Sequence, residues 1–313
     1  MGDTDELKRI NYKLAVLDNE LQALDSNLKS VVNILVSVDQ LTLASVQYNQ
    51  AIYAIAAQIK DLFIRYSLNQ FYATHRNPLN KCGQKSFSQT DEDGITLEIV
   101  RRLGLGKGCF AEFGVGNGLE NNTIILGTLG WKGFWVGGED LLFDISKCGR
   151  LHYIKDWITL DNLSQHAKTG LGLLGADSLD IISLDLDGND IYFTENLLET
   201  GFVPKLFIVE YNGKFPPPAR FQISYDPAHK WTGDDYYGAA LMNFIDLFEK
   251  HQFRLVCCNS FCGLNAFFVR NEFSHLFEDV PKDIRDLYVG ICYHTYSTFG
   301  HRLSAKTLET IFM

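Results

Sequence analysis

The sequence predicts an α/β protein, a Rossmann-like open sheet preceded by a long coiled-coil helix. Three observations predict it. Leucines and other aliphatics recur at intervals of three and four through the first forty residues or so. A short apolar run, Cys109-Phe110-Ala111, leads into Glu112 and three alternate glycines, Gly114, Gly116 and Gly118. Further apolar runs follow at Phe134–Val136, Leu151–Ile154, Asp180–Asp187 and Leu206–Val209, separated by helical patterns and ending in polar or acidic residues. Strands alternating with helices belong to parallel sheets.

The N-terminal seam is Leu7, Ile10, Leu14, Leu17, Leu21, Leu24, Leu28, Val31, Leu35 and Val38. A repeat of about 3.5 residues keeps one face towards a partner helix, whereas a straight helix drifts by about 20° per heptad. The stretch therefore reads as a coiled coil that makes a homo-oligomer. Leu at every a position, with Ile, Leu or Val at d, leans towards more than two strands. From Ser45 to Tyr72 the pattern becomes aromatic (Tyr48, Tyr53, Phe63, Tyr66, Phe71, Tyr72), as expected of a helix packing on the globular domain. Asn77-Pro78 ends it. The domains predicted are residues 1–75 for the helical segment, 76–270 for the sheet domain and 271–313 for a C-terminal extension.

The chain has 313 residues, 46% of them hydrophobic, so a full core fits. A net charge of -10 repels phosphate backbones and argues against nucleic acid. No apolar run has membrane-spanning length, the N-terminus lacks a signal-peptide pattern, and Glu6 breaks a myristoylation motif at Gly2. The seven cysteines are scattered, and Cys257-Cys258 with Cys262 has poor zinc spacing. Buried thiols and a reducing, cytoplasmic compartment are expected.

Thr90-Asp91-Glu92-Asp93 looks like a cap on the helical run Ile95–Val100. After the first strand, the spacing G-x-G-x-G differs from the dinucleotide G-x-G-x-x-G. Opening onto a helix expected at Asn121–Leu129, it lets backbone N–H groups approach a cofactor. Glu139 then falls near the offset of about twenty residues at which a ribose-binding carboxylate is expected. Asp156-Trp157, after the third strand, suits an adenine edge and face.

The fourth strand runs into Asp185, Asp187 and Asp190, and the fifth ends in Glu210-Tyr211-Asn212. Both strand ends face one crevice in an open parallel sheet. Carboxylates crowded there need a proton, a hydrogen-bonding ligand or a cation. Asp185, Asp187, Glu210 and Asn212 offer hard oxygen ligands for Mg2+ or Mn2+, with Asp187, Glu210 and Asn212 as the candidate ligand set. The long segment 213–237, with His229, Lys230, Trp231, Asp234, Asp235, Tyr236 and Tyr237, reads as a lid or acceptor pocket suited to a sugar ring. His275, His294 and His301 lack metal-ligand spacing.

Six stretches together resemble a bacterial family: SQ-x-DEDGI (Ser88–Ile95), EFGVGNGLENNT (Glu112–Thr123), GWKGFWV (Gly130–Val136), LDLDGND (Leu184–Asp190), VEYN (Val209–Asn212) and NAFFVR (Asn265–Arg270). They are similar to FkbM-related, methyltransferase-like proteins over roughly residues 86–270. The resemblance implies a class I methyltransferase sheet, S-adenosylmethionine as cofactor, and methyl transfer to a hydroxyl of a glycan or other small-molecule acceptor, with relatives in surface-polysaccharide biosynthesis. In this context the family carries an acid directly after the second strand, where this chain has Gly137, and Glu139 or Asp140 stands in for it.

The residues expected to carry function are then Glu112, Gly114, Gly116, Gly118, Glu139 and Asp156 for the cofactor. Glu112 would lie near the methionine amino group and Glu139 at the ribose. Asp185, Asp187 and His229 are the candidate bases, acting directly or through a metal. Two rival readings stand beside this one: a metal-dependent enzyme of another class acting on a nucleotide-linked sugar, and a non-catalytic coiled-coil assembly protein with a decayed methyltransferase domain.

Overall fold

The structure, a computed structural model, describes residues 3–41, 46–260 and 263–291. Of Leu7, Ile10, Leu35, Val38 and Tyr48 only the helical backbone is described, and Cys262, Cys292, His294 and His301 lie outside the described residues. The chain divides into two compact units, Met1–Tyr66 and Ser67–Met313.

The first unit is helical, with α1 spanning Asp3–Leu41 and α2 beginning at Val46 and running on to Thr74. Leu14, Leu17, Leu21, Leu24 and Leu28 are all more than half exposed along α1. The aromatic half of the pattern does not behave as one face. Tyr53, Phe63 and Tyr66 are exposed, while Phe71 packs against the core of the second unit. Tyr72 directs its hydroxyl towards Gly83 O and Asp91 Oδ2.

The second unit is a seven-stranded sheet in the order β3-β2-β1-β4-β5-β7-β6. The elements run α3 (Glu92–Arg102), β1 (Cys109–Phe113), α4 (Ile124–Thr128), β2 (Lys132–Gly137), β3 (Leu151–Lys155), α5 (Leu163–Leu174), β4 (Ile181–Leu184), α6 (Asp190–Glu199), β5 (Leu206–Glu210), α7 (Leu241–Lys250), β6 (Phe253–Cys258), β7 (Asn265–Arg270) and α8 (Ile284–Leu287). β1 to β5 are parallel, and β7 lies antiparallel to both β5 and β6. This is the Rossmann-like fold of class I methyltransferases. β4 and β5 are buried throughout, as parallel strands covered on both faces must be. Cys257 and Cys258 are buried free thiols in β6. Among the described residues, no helix is long and apolar enough to cross a membrane.

Two local expectations change. α4 is a five-residue turn of helix where nine residues were expected. At α3, the N-cap Asp91 makes no side-chain cap bond. Its carboxylate accepts from Ser260 N instead, at 3.1 Å. Asp93 accepts the N–H groups of Ser86, Phe87 and Ser88 at 2.7, 2.6 and 2.9 Å. Glu92 gathers Thr90 N, Thr90 Oγ1, Asn259 Nδ2 and Asn265 Nδ2. The acidic run is thus a buried clasp that ties residues 86–92 to the β6–β7 turn.

Candidate functional site

The glycine turn begins where β1 ends. Gly114 N and Val115 N both donate to Val136 O at 3.0 and 3.2 Å, which turns the chain across the end of β2. Gly114 has φ +93, and a Cβ on it would stand 1.8 Å from Asp185 O, so no side chain fits. Gly118 has φ +86 and rests on Leu141 and Phe143. Gly116 is different, because the nearest atom to an added Cβ is Glu139 Oε2, 3.9 Å away. The outer two glycines are demanded by the fold, whereas the middle one borders open space.

Glu112 does not project freely into that space. Its carboxylate accepts from Asn122 N at 2.8 Å, Thr123 N at 3.1 Å and the Thr123 hydroxyl, which in turn accepts from Trp135 Nε1. Burial pushes its pKa up to about 7 against the pull of these hydrogen bonds. Glu112 therefore satisfies the N–H groups ahead of α4, and the helix N-terminus expected to face a cofactor is already capped from within.

At the end of β2, a Cβ on Gly137 would meet Val115 O at 1.9 Å. The glycine turn lies so close to β2 that an acid has no room there. Glu139, two residues on, is exposed and faces Gly116. Tyr153 OH fixes its backbone, at 2.6 Å from Glu139 O and 2.9 Å from Gly137 O. Asp140 turns away and pairs with Lys155 at 2.5 Å. Asp156 is also diverted, accepting from Trp157 N at 2.8 Å and lying 3.1 Å from His166 Nε2. Of this pair, Trp157 rather than Asp156 lines the cavity.

Across the cleft, the ends of β4 and β5 bring Asp185, Asp187 and Glu210 together, with carboxyl oxygens all within 4.8 Å of one another. Burial, then the neighbouring Asp187 and Asp190, holds Asp185 well above the ordinary carboxylate range. Burial, then Asp185 and Asp187, does the same for Glu210. Glu210 is 7% exposed, and its Oε2 has no hydrogen-bond partner. Asp187 is held at φ +56, a left-handed backbone uncommon for a residue with a side chain. The turn is set by buried Asp190, which accepts Leu186 N at 2.8 Å and Gly188 N at 3.0 Å and whose own pKa is raised to about 6, mainly by burial.

His229 reaches this corner from the 213–237 segment. Its ring packs on Gly188, where a Cβ would be 2.2 Å from His229 Cδ2. Its buried Nε2 has no hydrogen-bond partner. Asn212 does not join the acids. Its amide nitrogen donates to Asp235 O and Tyr237 O at 3.0 and 2.9 Å, and its oxygen accepts from Lys214 N. Asn212 is thus spent on anchoring the loop, and the acid group is Asp185, Asp187 and Glu210.

Two cavities meet over the glycine turn. One, of about 450 Å³, is bordered by Gln89, Glu120, Asn122, Glu210 and Tyr237. The other, of about 490 Å³, is bordered by Gly138, Trp157, Phe193, His229 and Lys230. They share Gly114, Gly116, Glu139, Asp185, Asp187 and Trp231. The first is lined by six carboxylate side chains and by no Lys, Arg or His. A strap, Asp226 to Trp231, covers the second. Asn189 Nδ2 donates to Asp226 O and Trp157 Nε1 to Pro227 O, both at 2.8 Å, and the Lys230 ammonium stands 5.5 Å over the Trp157 ring. Gln89 and Asn122 were not singled out from the sequence. Both lie within stretches that carry the resemblance, Gln89 in SQ-x-DEDGI and Asn122 in EFGVGNGLENNT, and neither was given a role there.

No family model and no characterised protein matches the sequence. Solved structures resemble it at a distance. CalO1, a methyltransferase in calicheamicin biosynthesis solved in its SAH-bound form, is 11% identical over 72% of this chain and 59% of its own, with a TM-score of 0.33. An O-methyltransferase family 2 protein from Planctomyces limnophilus DSM 3776, in complex with apigenin, is 11% identical over 67% and 61%, at 0.32. The glycopeptide N-methyltransferase MtfA, complexed with S-adenosyl-L-homocysteine, is 13% identical over 62% and 98%, at 0.33. At this distance none of them bears on what this chain does.

Proposed function

We propose that the chain is an S-adenosylmethionine-dependent O-methyltransferase acting on a glycan or glycan-like small-molecule acceptor, assisted by Mg2+ or Mn2+. The observation that carries the reading is the pairing across one cleft: a glycine turn with Glu139 facing Gly116 on one side, and Asp185, Asp187 and Glu210 on the other. The cofactor would lie along Gly114 and Gly116, with Glu139 on the ribose hydroxyls and the adenine beside Trp157 under the strap. Bound there, S-adenosylmethionine supplies an electrophilic sulfonium methyl. An acceptor hydroxyl placed where the two cavities meet would give its proton to Asp187 or His229 and would take the methyl in exchange, leaving S-adenosylhomocysteine. The products are the methyl ether and S-adenosylhomocysteine. In the absence of a cation, burial and the neighbouring Asp187 and Asp190 hold the Asp185 carboxyl well above the ordinary carboxylate range.

A nucleotide-linked sugar is a poorer guest, since six carboxylates without a basic side chain repel a diphosphate. A decayed domain is disfavoured by the strained, Asp190-braced turn at Asp187, which costs of the order of 1–3 kcal/mol to keep. Methyl-labelled S-adenosylmethionine offered with a panel of glycosides and cell-extract glycans tests the reading. Label is expected in one acceptor class and is expected to vanish with Asp187→Asn. Full activity in that variant would remove Asp187 from both roles.

We also propose that residues 1–75 assemble the chain as a homo-oligomer in a reducing, cytoplasmic compartment. The uncovered leucines of α1 support assembly, and the free, buried thiols of Cys257 and Cys258 suit such a compartment. Sedimentation of the full chain is expected to show an oligomer of more than two copies. Leu17→Asp combined with Leu24→Asp is expected to give monomers with an unchanged far-ultraviolet signature from the sheet. Oligomers that survive both changes would place the interface elsewhere.

A further inference from the structure

On the proposed function, the methyl passes to the acceptor where the two cavities meet. Among the described residues six border both cavities: Gly114, Gly116, Glu139, Asp185, Asp187 and Trp231. Five of them are glycines or acids, and Trp231 is the one aromatic side chain. It is half-buried, and its ring is fixed from several sides. Nε1 donates to Asp234 O at 2.7 Å, and the Tyr237 ring meets the indole edge-on, with centroids 6.0 Å apart. The Asp234 carboxylate accepts Tyr236 N at 2.9 Å. Asp235 and Tyr237 are anchored beyond the end of β5, where buried Asn212 donates to both of their carbonyls and Lys214 pairs with the Asp235 carboxylate. On the other side, Trp231 closes the strap that Asn189 and Trp157 tie down at Asp226 and Pro227. A segment outside the sheet is thus built around one indole at the border of the two cavities.

The face of an indole is the negative end of its quadrupole and attracts a cation, more strongly where water is excluded. S-adenosylmethionine carries a positive charge on the sulfur that bears the methyl, and S-adenosylhomocysteine has lost it. We propose that the indole face of Trp231 contacts the sulfonium and shifts the preference of the cleft towards the charged cofactor and away from its spent form. This rests on the cofactor reading and adds to it a contact from the 213–237 segment, which the sequence presents as a lid or acceptor pocket. The charge fades as the methyl leaves, so the contact weakens towards the transition state and does not itself speed the transfer. Its effect is on occupancy, since it favours exchange of product for fresh cofactor. Asp185 and Asp187, on the same border, attract the same charge.

Equilibrium binding of S-adenosylmethionine and S-adenosylhomocysteine to the full-length protein, without acceptor, tests the contact. Trp231→Leu is expected to weaken S-adenosylmethionine about fivefold, the size of one cation–π contact. Its affinity for S-adenosylhomocysteine is expected to stay unchanged, which also shows that the cleft still forms. Trp231→Phe loses the same hydrogen bond to Asp234 O yet keeps a ring, so it is expected to fall between Trp231→Leu and the parent. Sinefungin, with a protonated amine in place of the methylated sulfur, is expected to weaken along with S-adenosylmethionine, which separates the charge from contact with the methyl. An unchanged ratio of the two affinities in Trp231→Leu overturns the inference. So does an equal loss for both ligands, which would leave Trp231 a structural part of the cleft. A parent protein that binds neither ligand removes the cofactor reading and this contact with it, whereas binding of both at an unchanged ratio removes the contact alone.

Discussion

Gly114→Ala is expected to remove cofactor binding and to destabilise the sheet domain by about 2–5 kcal/mol, combining the left-handed backbone penalty with overpacking. Two facts make it severe. The backbone sits at φ +93, and the new methyl would stand 1.8 Å from Asp185 O, a backbone atom at the end of β4. The strain cannot be relieved by a side-chain rotation. It must displace either the cofactor turn or the acid group. Gly116→Ala is the control. The space beside it is open, so it is expected to fold normally while weakening S-adenosylhomocysteine through contact with the ligand alone. Chemical unfolding separates the pair, and equal stability of Gly114→Ala and the parent would mean that the turn is not packed as described.

The metal-free protein is expected to gain stability as the pH falls from about 8 towards 5. Glu112 and Asp190, both nearly fully buried, have folded pKa values of about 7 and about 6, above their ordinary 4.5 and 3.8. Asp185 and Glu210 are raised as well. For a raised carboxylate the folded state holds a proton that the unfolded chain has already lost. Its contribution is therefore fully present below the unfolded pKa and is lost as the pH rises through the folded one. Shifts of this size correspond to roughly 3 kcal/mol for each of Glu112 and Asp190, as an upper limit. Groups shifted the other way act lower on the scale. Glu98, held at about 2 by Arg101 and Arg102, adds stability that is lost only as the pH falls below the ordinary carboxylate range towards 2. A maximum in mildly acid buffer follows. Melting temperatures across pH 4–8 check it, and a steady rise from pH 5 to 8 without metal would contradict the buried acids. Excess Mn2+ is expected to flatten the neutral limb by favouring the ionised forms of Asp185 and Glu210.

The sheet was legible because its central strands are buried on both faces and appear as unbroken apolar runs, such as Leu206–Val209. The glycine turn was legible for a related reason, since its outer glycines are forced by close approach of backbone. Side chains with partners distant in the chain were not legible in the same way. The fourth strand was extended through Asp187, but it ends at Leu184 because Asp190 bends residues 186–188 back on themselves. Asn212 looked like a ligand because its amide partners, Asp235 and Tyr237, lie across a long insertion. Asp156 looked like a cofactor contact until His166, on α5, placed a ring nitrogen beside it. After Pro281 a single turn, α8, forms, and Tyr288 OH reaches back to Gly213 O at 2.6 Å. His275 lies outside both cavities, with Nδ1 3.0 Å from Glu272 O. The absent acid at Gly137 was visible in the sequence, but its reason, Val115 O in the way, was not.

That the cleft holds the cofactor is tested most directly by equilibrium binding of S-adenosylhomocysteine to the full chain. One molecule per chain is predicted, weakened about tenfold, or 1.4 kcal/mol, by Glu139→Gln and left unchanged by Asp140→Asn, because Glu139 alone of the two faces Gly116. A chain that stays folded yet binds neither S-adenosylhomocysteine nor S-adenosylmethionine at millimolar concentration would contradict it.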